Sequence, residues 1–164
     1  MKRIIPLLLL PLTLLLSSCL DTQSHYTPEV ALSSFVTSEG DTLLYFFDST
    51  SNLWHVDSLL VGDTATFAVG YAGLGNNIIS THLAWDTAYL DLWTKYSSEM
   101  KNILLPQSDT TKLNLYFPTG YNYIGLPIWL TPKKAGSTAL KFTVITDSKY
   151  SPAEENLILN IIKE

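Results

Sequence analysis

Thr64-Ala65-Thr66-Phe67-Ala68-Val69-Gly70-Tyr71 decides how this chain folds. Ala65, Phe67, Val69 and Tyr71 share one face of an extended backbone, and Thr64, Thr66, Ala68 and Gly70 share the other. A period of two with one apolar face predicts a half-buried β-strand. Gly73-Leu74-Gly75-Asn76-Asn77 then makes a turn, and Ile79, Thr81, Leu83 and Trp85 carry the inward face into the next strand. His82 falls on the opposite face of that strand.

Working outward, the same alternation recurs. Leu113, Leu115 and Phe117 alternate with Asn114 and Tyr116, and Leu140, Phe142 and Val144 alternate with Lys141 and Thr143. Leu157, Leu159 and Ile161 form a closing strand. Further strands are expected at residues 30–37, 42–47, 54–60, 89–94 and 126–130, with Glu39-Gly40-Asp41 as a turn and 48–52 as a polar loop. Residues 97–105 alone read as helical: Ser97 caps, Met100, Ile103 and Leu104 share a face, and Pro106 stops the run. Many short strands separated by turn residues predict an all-β, immunoglobulin-like antiparallel β-sandwich with one short helix. No repeat or linker divides it, so residues 29–164 read as a single domain.

Three stretches resemble the strand-and-turn grammar of bacterial Ig-like and cohesin-like sandwiches. They are Val61-Gly62-Asp63-Thr64-x-x-Phe67, Leu83-x-Trp85-Asp86-x-x-x-Leu90 and Ala135-Gly136-x-x-x-Leu140-x-Phe142-x-Val144. The resemblance implies the sandwich and no activity.

Ahead of the domain, Lys2 and Arg3 precede an apolar run of thirteen residues, 4–16, and then Leu16-Ser17-Ser18-Cys19. This layout is that of a secretory signal. The run falls short of the ~20 residues a membrane-spanning helix needs, and Pro6 and Pro11 interrupt it. Leu16 to Cys19 resembles the lipobox of bacterial lipoproteins. That resemblance implies removal of residues 1–18, lipidation of Cys19 and durable anchoring by its three acyl chains. Residues 19–28 then form the lipidated tether. Leu20 lacks the aspartate that resembles an inner-membrane retention signal, so the expectation is an outer-membrane lipoprotein, facing the periplasm or the exterior.

Cys19 is the one cysteine, so no disulfide holds the fold. Loss of Lys2 and Arg3 takes the formal net charge from −5 to −7. Between Cys19 and Thr94 the chain has nine acids and no Lys or Arg; beyond that, eight Lys face six acids. Such a balance excludes nucleic acid, whose binders need a basic footprint. It leaves open a solvated acidic surface, a cationic partner or Ca²⁺.

Catalytic signatures are sparse. His25, His55 and His82 are the only histidines, and no G-x-S-x-G elbow accompanies them. No H-x-x-x-H motif is present, and Asp86 and Asp91 are turn and strand-edge carboxylates unless the fold gathers them on a calcium ion. Gly70-x-x-Gly73-x-Gly75 precedes a strand pattern, so it is a hairpin and not a phosphate cradle. No enzyme, cofactor or metal site is therefore expected.

Aromatic residues remain. Tyr45-Phe46-Phe47 puts rings on both faces of one strand, so at least one must be exposed or covered by something else. Tyr121 and Tyr123 lie in a Gly/Pro-bounded stretch not far before Trp129, and these three form the candidate binding patch. The expected function is a lipid-anchored, non-enzymatic envelope module. It would bind a protein or glycan partner through its loops or an edge strand. The alternative is a structural accessory subunit of an envelope complex, with no soluble ligand of its own.

Overall fold

The computed structural model describes residues 26–163; the expected signal segment, Cys19 and His25 lie outside them. Twelve strands form two six-stranded sheets. Sheet A takes β1 (Glu29–Leu32), β2 (Phe35–Thr37), β3 (Thr42–Leu43), β6 (Ala65–Ala72), β8 (Leu90–Trp93) and β10 (Tyr123–Pro132). Its order is β3-β2-β6-β10-β8, with β1 lying beside β2 along the same edge of β6. Sheet B takes β4 (Tyr45–Asp48), β5 (Leu53–Leu60), β7 (Ile78–Trp85), β9 (Asn114–Tyr116), β11 (Gly136–Thr146) and β12 (Ala153–Ile162), in the order β4-β5-β12-β11-β7-β9.

The sheets face each other as an immunoglobulin-like β-sandwich. Ala65, Phe67, Val69 and Tyr71 are all buried, as the alternation requires. Phe35 stacks on Phe67 at 4.3 Å between ring centroids, and Phe67 meets Phe142 of the opposite sheet edge-on at 6.1 Å. Each fully buried ring or branched aliphatic side chain contributes about 1.5–3 kcal/mol by leaving water, and with no disulfide among the described residues this burial is what holds the sheets together. The helix α1 (Ser98–Ile103) forms where expected, with Ser97 Oγ accepting the Met100 N–H at 3.1 Å and Met100, Ile103 and Leu104 packed on the core.

Four details differ from the sequence expectation. The run 30–37 breaks at Ser33-Ser34, where Ser33 Oγ accepts the Ala68 N–H at 2.8 Å and Ser33 N–H donates to Ala68 O at 2.9 Å. The run 42–47 breaks at Leu44, because β3 belongs to sheet A and β4 to sheet B. The sandwich is not wholly antiparallel either: β5 and β12 pair in parallel, since the chain's last strand slots between β11 and the early β4–β5 hairpin. On β7, Ile78 is buried and Ile79 exposed, the reverse of strict alternation. Pairing there slips by one residue, Ser80 opposing Ile145 and Ile78 opposing Thr146.

Candidate functional site

The three residues of the candidate patch separate. Tyr121 precedes β10 and is half-buried against the core, its carbonyl accepting the Ile78 N–H at 2.6 Å. Tyr123 is the first residue of β10, and Trp129 stands on the same strand. Both sit on the outer face of sheet A, six residues or about 20 Å apart along the strand. They are strand residues and not loop residues.

Tyr123 nevertheless occupies a distinctive position. Its ring lies across Gly70 and Gly125, so close that a Cβ on Gly70 would sit 2.9 Å from Tyr123 Oη. One ring face thus replaces two missing side chains, and the residue stays 62% exposed. Beside it an open trough of about 460 Å³ is floored by Ala68, Gly70, Gly125 and Pro127. A second depression of about 360 Å³ continues it over Ala68 and Pro127 to Thr66, Val36 and Trp129. Trp129 sits directly across from exposed Trp93 of β8, with Lys95 Nζ 5.3 Å from its ring centroid. Small residues from β6 and β10 create this hollow, and aromatic rings stand at its two ends.

A second surface lies on the free edge of sheet B. Leu44 is 67% exposed, Phe46 54% and Phe47 47%. Within β4 the odd residue turns inward: Tyr45 meets Trp54 edge-on at 5.4 Å, and its hydroxyl donates to Leu32 O at 2.6 Å, tying the edge to sheet A. Phe46 stacks on His55 and Phe47 packs edge-on against Trp54. The hairpin turn is held by Asp48, whose carboxylate accepts the Thr50 N–H and the Ser51 hydroxyl at 2.9 and 2.8 Å. These bonds, led by the Ser51 hydroxyl, hold its pKa below the ordinary aspartate value. A cleft of about 200 Å³ adjoins the edge, lined by Val30, Leu32, Tyr45, Trp54 and Glu155. Burial raises the Glu155 carboxyl above its ordinary pKa.

One arrangement was invisible in the sequence. Ser80 Oγ lies 3.0 Å from His82 Nε2, and His82 Nδ1 lies 3.1 Å from Asn114 Oδ1. The order serine–imidazole–amide is that of a nucleophile, its base and an orienting group. Ser80, however, is 1% exposed, so its hydroxyl meets no substrate. The chain of contacts instead joins β7 to β9, with Tyr116 edge-on against the imidazole. Spacing could not reveal it, because Asn114 arrives from thirty-two residues away.

The carboxylates singled out in the sequence are otherwise engaged. Asp86 Oδ1 accepts the Ala88 N–H at 2.8 Å, and Asp91 pairs with Lys133 at 2.8 Å. Glu154, beside Glu155 in sequence, pairs likewise with Lys141 at 2.8 Å, so the two adjacent glutamates are not a free carboxylate pair. Among the described residues no group of three or more His, Cys, Asp or Glu side chains is placed to hold a metal ion.

No protein family matches the chain by sequence, and no curated protein does. Solved structures resemble it distantly. One is the secreted serine protease VesC of Vibrio cholerae, 9% identical with a TM-score of 0.38 over 73% of this chain and 23% of that one. Another is a family 123 glycoside hydrolase from Clostridium perfringens, 11% identical with a TM-score of 0.43 over 84% and 28%. A third is the ASH/PapD-like domain 7 of human CEP192, 11% identical with a TM-score of 0.37 over 82% and 86%. This chain therefore spans about a quarter of the first two, and none of the three lends it an activity, substrate or partner.

Proposed function

We propose that this chain is a non-enzymatic lipoprotein module of a bacterial envelope, favouring the outer membrane, that holds a protein partner on the free edge of β4. The observation that carries this reading is the exposure of Phe46 and Phe47 on β4, and of Leu44 just before it, where the outer side of the strand pairs with no other strand among the described residues. An edge strand offers a row of outward N–H and C=O groups, and natural edges are usually blunted by charge or proline. This edge has neither within 44–47. Its partner is an extended segment that adds as a further strand, with apolar side chains to meet Phe46 and Phe47. The nearest charge on β4 is Asp48, which favours a neutral or basic segment over an acidic one.

In-cell crosslinking from position 44 of the full lipidated protein tests it. One dominant envelope protein is expected, and Phe46→Lys with Phe47→Lys should cut its capture at least tenfold while leaving the thermal midpoint within a few degrees. Equal capture by this variant overturns the reading. If the partner co-purifies without crosslinking, the chain is a permanent accessory subunit and not a transient binder.

A second reading is favoured by the trough beside Tyr123. A ring lying flat on a sheet and exposing its other face is suited to stack on a sugar, so a glycan is the alternative ligand there. Tyr123→Ala should then abolish binding to envelope polysaccharide, and unchanged binding removes this reading.

A further inference from the structure

We infer that one end of the sandwich is a membrane-contacting surface, on which Tyr26, Leu74 and Tyr150 rest against the bilayer that holds the Cys19 lipid. The inference rests on the lipoprotein reading and adds to it an orientation and a contact. The described chain begins at Tyr26, and its carbonyl accepts hydrogen bonds from Asn76 Nδ2 at 3.3 Å and Ser148 Oγ at 3.1 Å. The point where the tether meets the domain is thus fixed between the β6–β7 turn and the β11–β12 turn. Those same two turns carry Leu74 and Tyr150, which are exposed, as is Tyr26 itself.

Length keeps this end near the bilayer. Cys19 to Tyr26 is seven residues, and a fully extended chain spans at most about 3.6 Å per residue, or roughly 25 Å. Strands of ten and eleven residues make the sandwich about 35 Å long. The tether is therefore shorter than the domain, so the end that receives it stays within about 25 Å of the headgroups, and the contact itself comes from the side chains there.

Chemistry at this end suits a lipid interface. Tyrosines favour the level where an apolar ring body meets a wet hydroxyl. Lys149 Nζ lies 5.1 Å from the Tyr150 ring centroid, so the ammonium can stay among headgroups while its stem follows the ring. Leu74 holds a left-handed backbone at φ 50°, a position that glycine or asparagine takes more easily. Glu29 and Asp147 also lie at this end, so the attraction is apolar and aromatic and does not depend on anionic lipid.

The test uses the full lipidated protein in phosphatidylcholine vesicles containing spin-labelled lipid. Lipidation leaves Cys19 without a thiol, so Leu74→Cys, Tyr150→Cys or Glu39→Cys each takes one fluorophore; Glu39 marks the opposite end, in the β2–β3 turn. Quenching at 74 and 150 should exceed that at 39 at least threefold. Leu74→Gly with Tyr150→Ser, which preserves the turn, should abolish the difference at a probe placed on Tyr26→Cys. Equal quenching at both ends, with labelled palmitate incorporated at Cys19, overturns the contact alone. Absence of palmitate at Cys19 overturns the lipoprotein reading and the contact with it.

Discussion

Sheet B ends on β9 at one side and on β4 at the other, and the two edges are finished in opposite ways. At β9 the outer side is occupied: Leu105 N–H donates to Tyr116 O at 2.9 Å, Tyr116 N–H donates to Ser108 Oγ at 2.9 Å, and Asp109 and Asn114 exchange backbone bonds at 2.8 and 3.0 Å. Its single inward side chain, Leu115, is fully buried. On the inner side, Ser80, His82 and Asn114 stitch the strand to β7. At β4 nothing comparable is built. Phe46 and Phe47 on the strand and Leu44 just before it are exposed, and the outer backbone has no strand against it among the described residues. A three-residue strand is protected by the segment before it, whereas a four-residue strand of higher apolar content is left open. The difference separates an edge closed by the fold from one left open among the described residues, the edge to which the proposed partner is assigned.

The largest expected effect comes from truncating one apolar residue at each edge. Leu115→Ala leaves a cavity in a close-packed site and should cost about 2–5 kcal/mol. Phe46→Ala removes a ring stacked on His55 at 5.7 Å on the surface, and such a cross-strand pair contributes below about 1 kcal/mol. Urea unfolding measures both. If Phe46→Ala destabilises as much as Leu115→Ala, β4 is a structural edge and its exposure carries no message about a partner.

A smaller effect is expected at the stitch beneath β9. His82→Ala leaves Ser80 Oγ and Asn114 Oδ1 without the imidazole, and with Ser80 buried the loss should be about 1–3 kcal/mol. Hydrogen exchange should quicken at Leu115 and Thr81 and stay unchanged at Phe46 and His55. Equal acceleration on β4 breaks the claim that the two edges are independent.

How much of this contrast was legible beforehand depends on range. The run 64–71 announced β6 because period two is a local property, and the Ser97 cap and Pro106 bounded a helix for the same reason. Tyr45-Phe46-Phe47 announced a surplus ring on one face, and the structure leaves two exposed. Non-local facts were closed to such reading. The parallel pairing of β5 with β12 joins residues a hundred positions apart. The slip at Ile79, an extra residue of β7 between those opposing Ile145 and Thr146, shows only once β11 is paired beside it, and the serine–histidine–asparagine chain needs β9 delivered beside β7. Tyr121 and Tyr123 were grouped by nearness in sequence, yet the start of β10 turns one toward the core and lays the other across two glycines. Nearness along a strand does not decide a shared face when the strand begins between the two residues.

Acid gives the finest distinction. A turn at each edge is held by an aspartate: Asp109 accepts from the Thr111 hydroxyl at 2.7 Å and from the Thr111 and Lys112 N–H groups at 3.0 Å, much as Asp48 serves the β4–β5 hairpin. The Thr111 hydroxyl leads in holding Asp109 below the ordinary aspartate pKa, as the Ser51 hydroxyl does for Asp48. A lowered folded pKa means that the unfolded chain binds the proton more tightly. The stabilisation is therefore present above the unfolded value and is lost as pH falls through the folded one. Below about pH 4, amide exchange should quicken at Thr111 and Lys112 and at Thr50 and Ser51. The spread should differ. Asp109 also exchanges backbone bonds with Asn114, so loosening its turn should carry into β9 and reach Leu115. Asp48 closes a hairpin whose strand is pinned separately by the Tyr45 hydroxyl on Leu32 O, so its loss should stop at Phe47. Asp109→Asn and Asp48→Asn should each remove the acid response of its own turn and leave the other's intact, and an acid response shared across both edges would mean that the sheet loosens as one body.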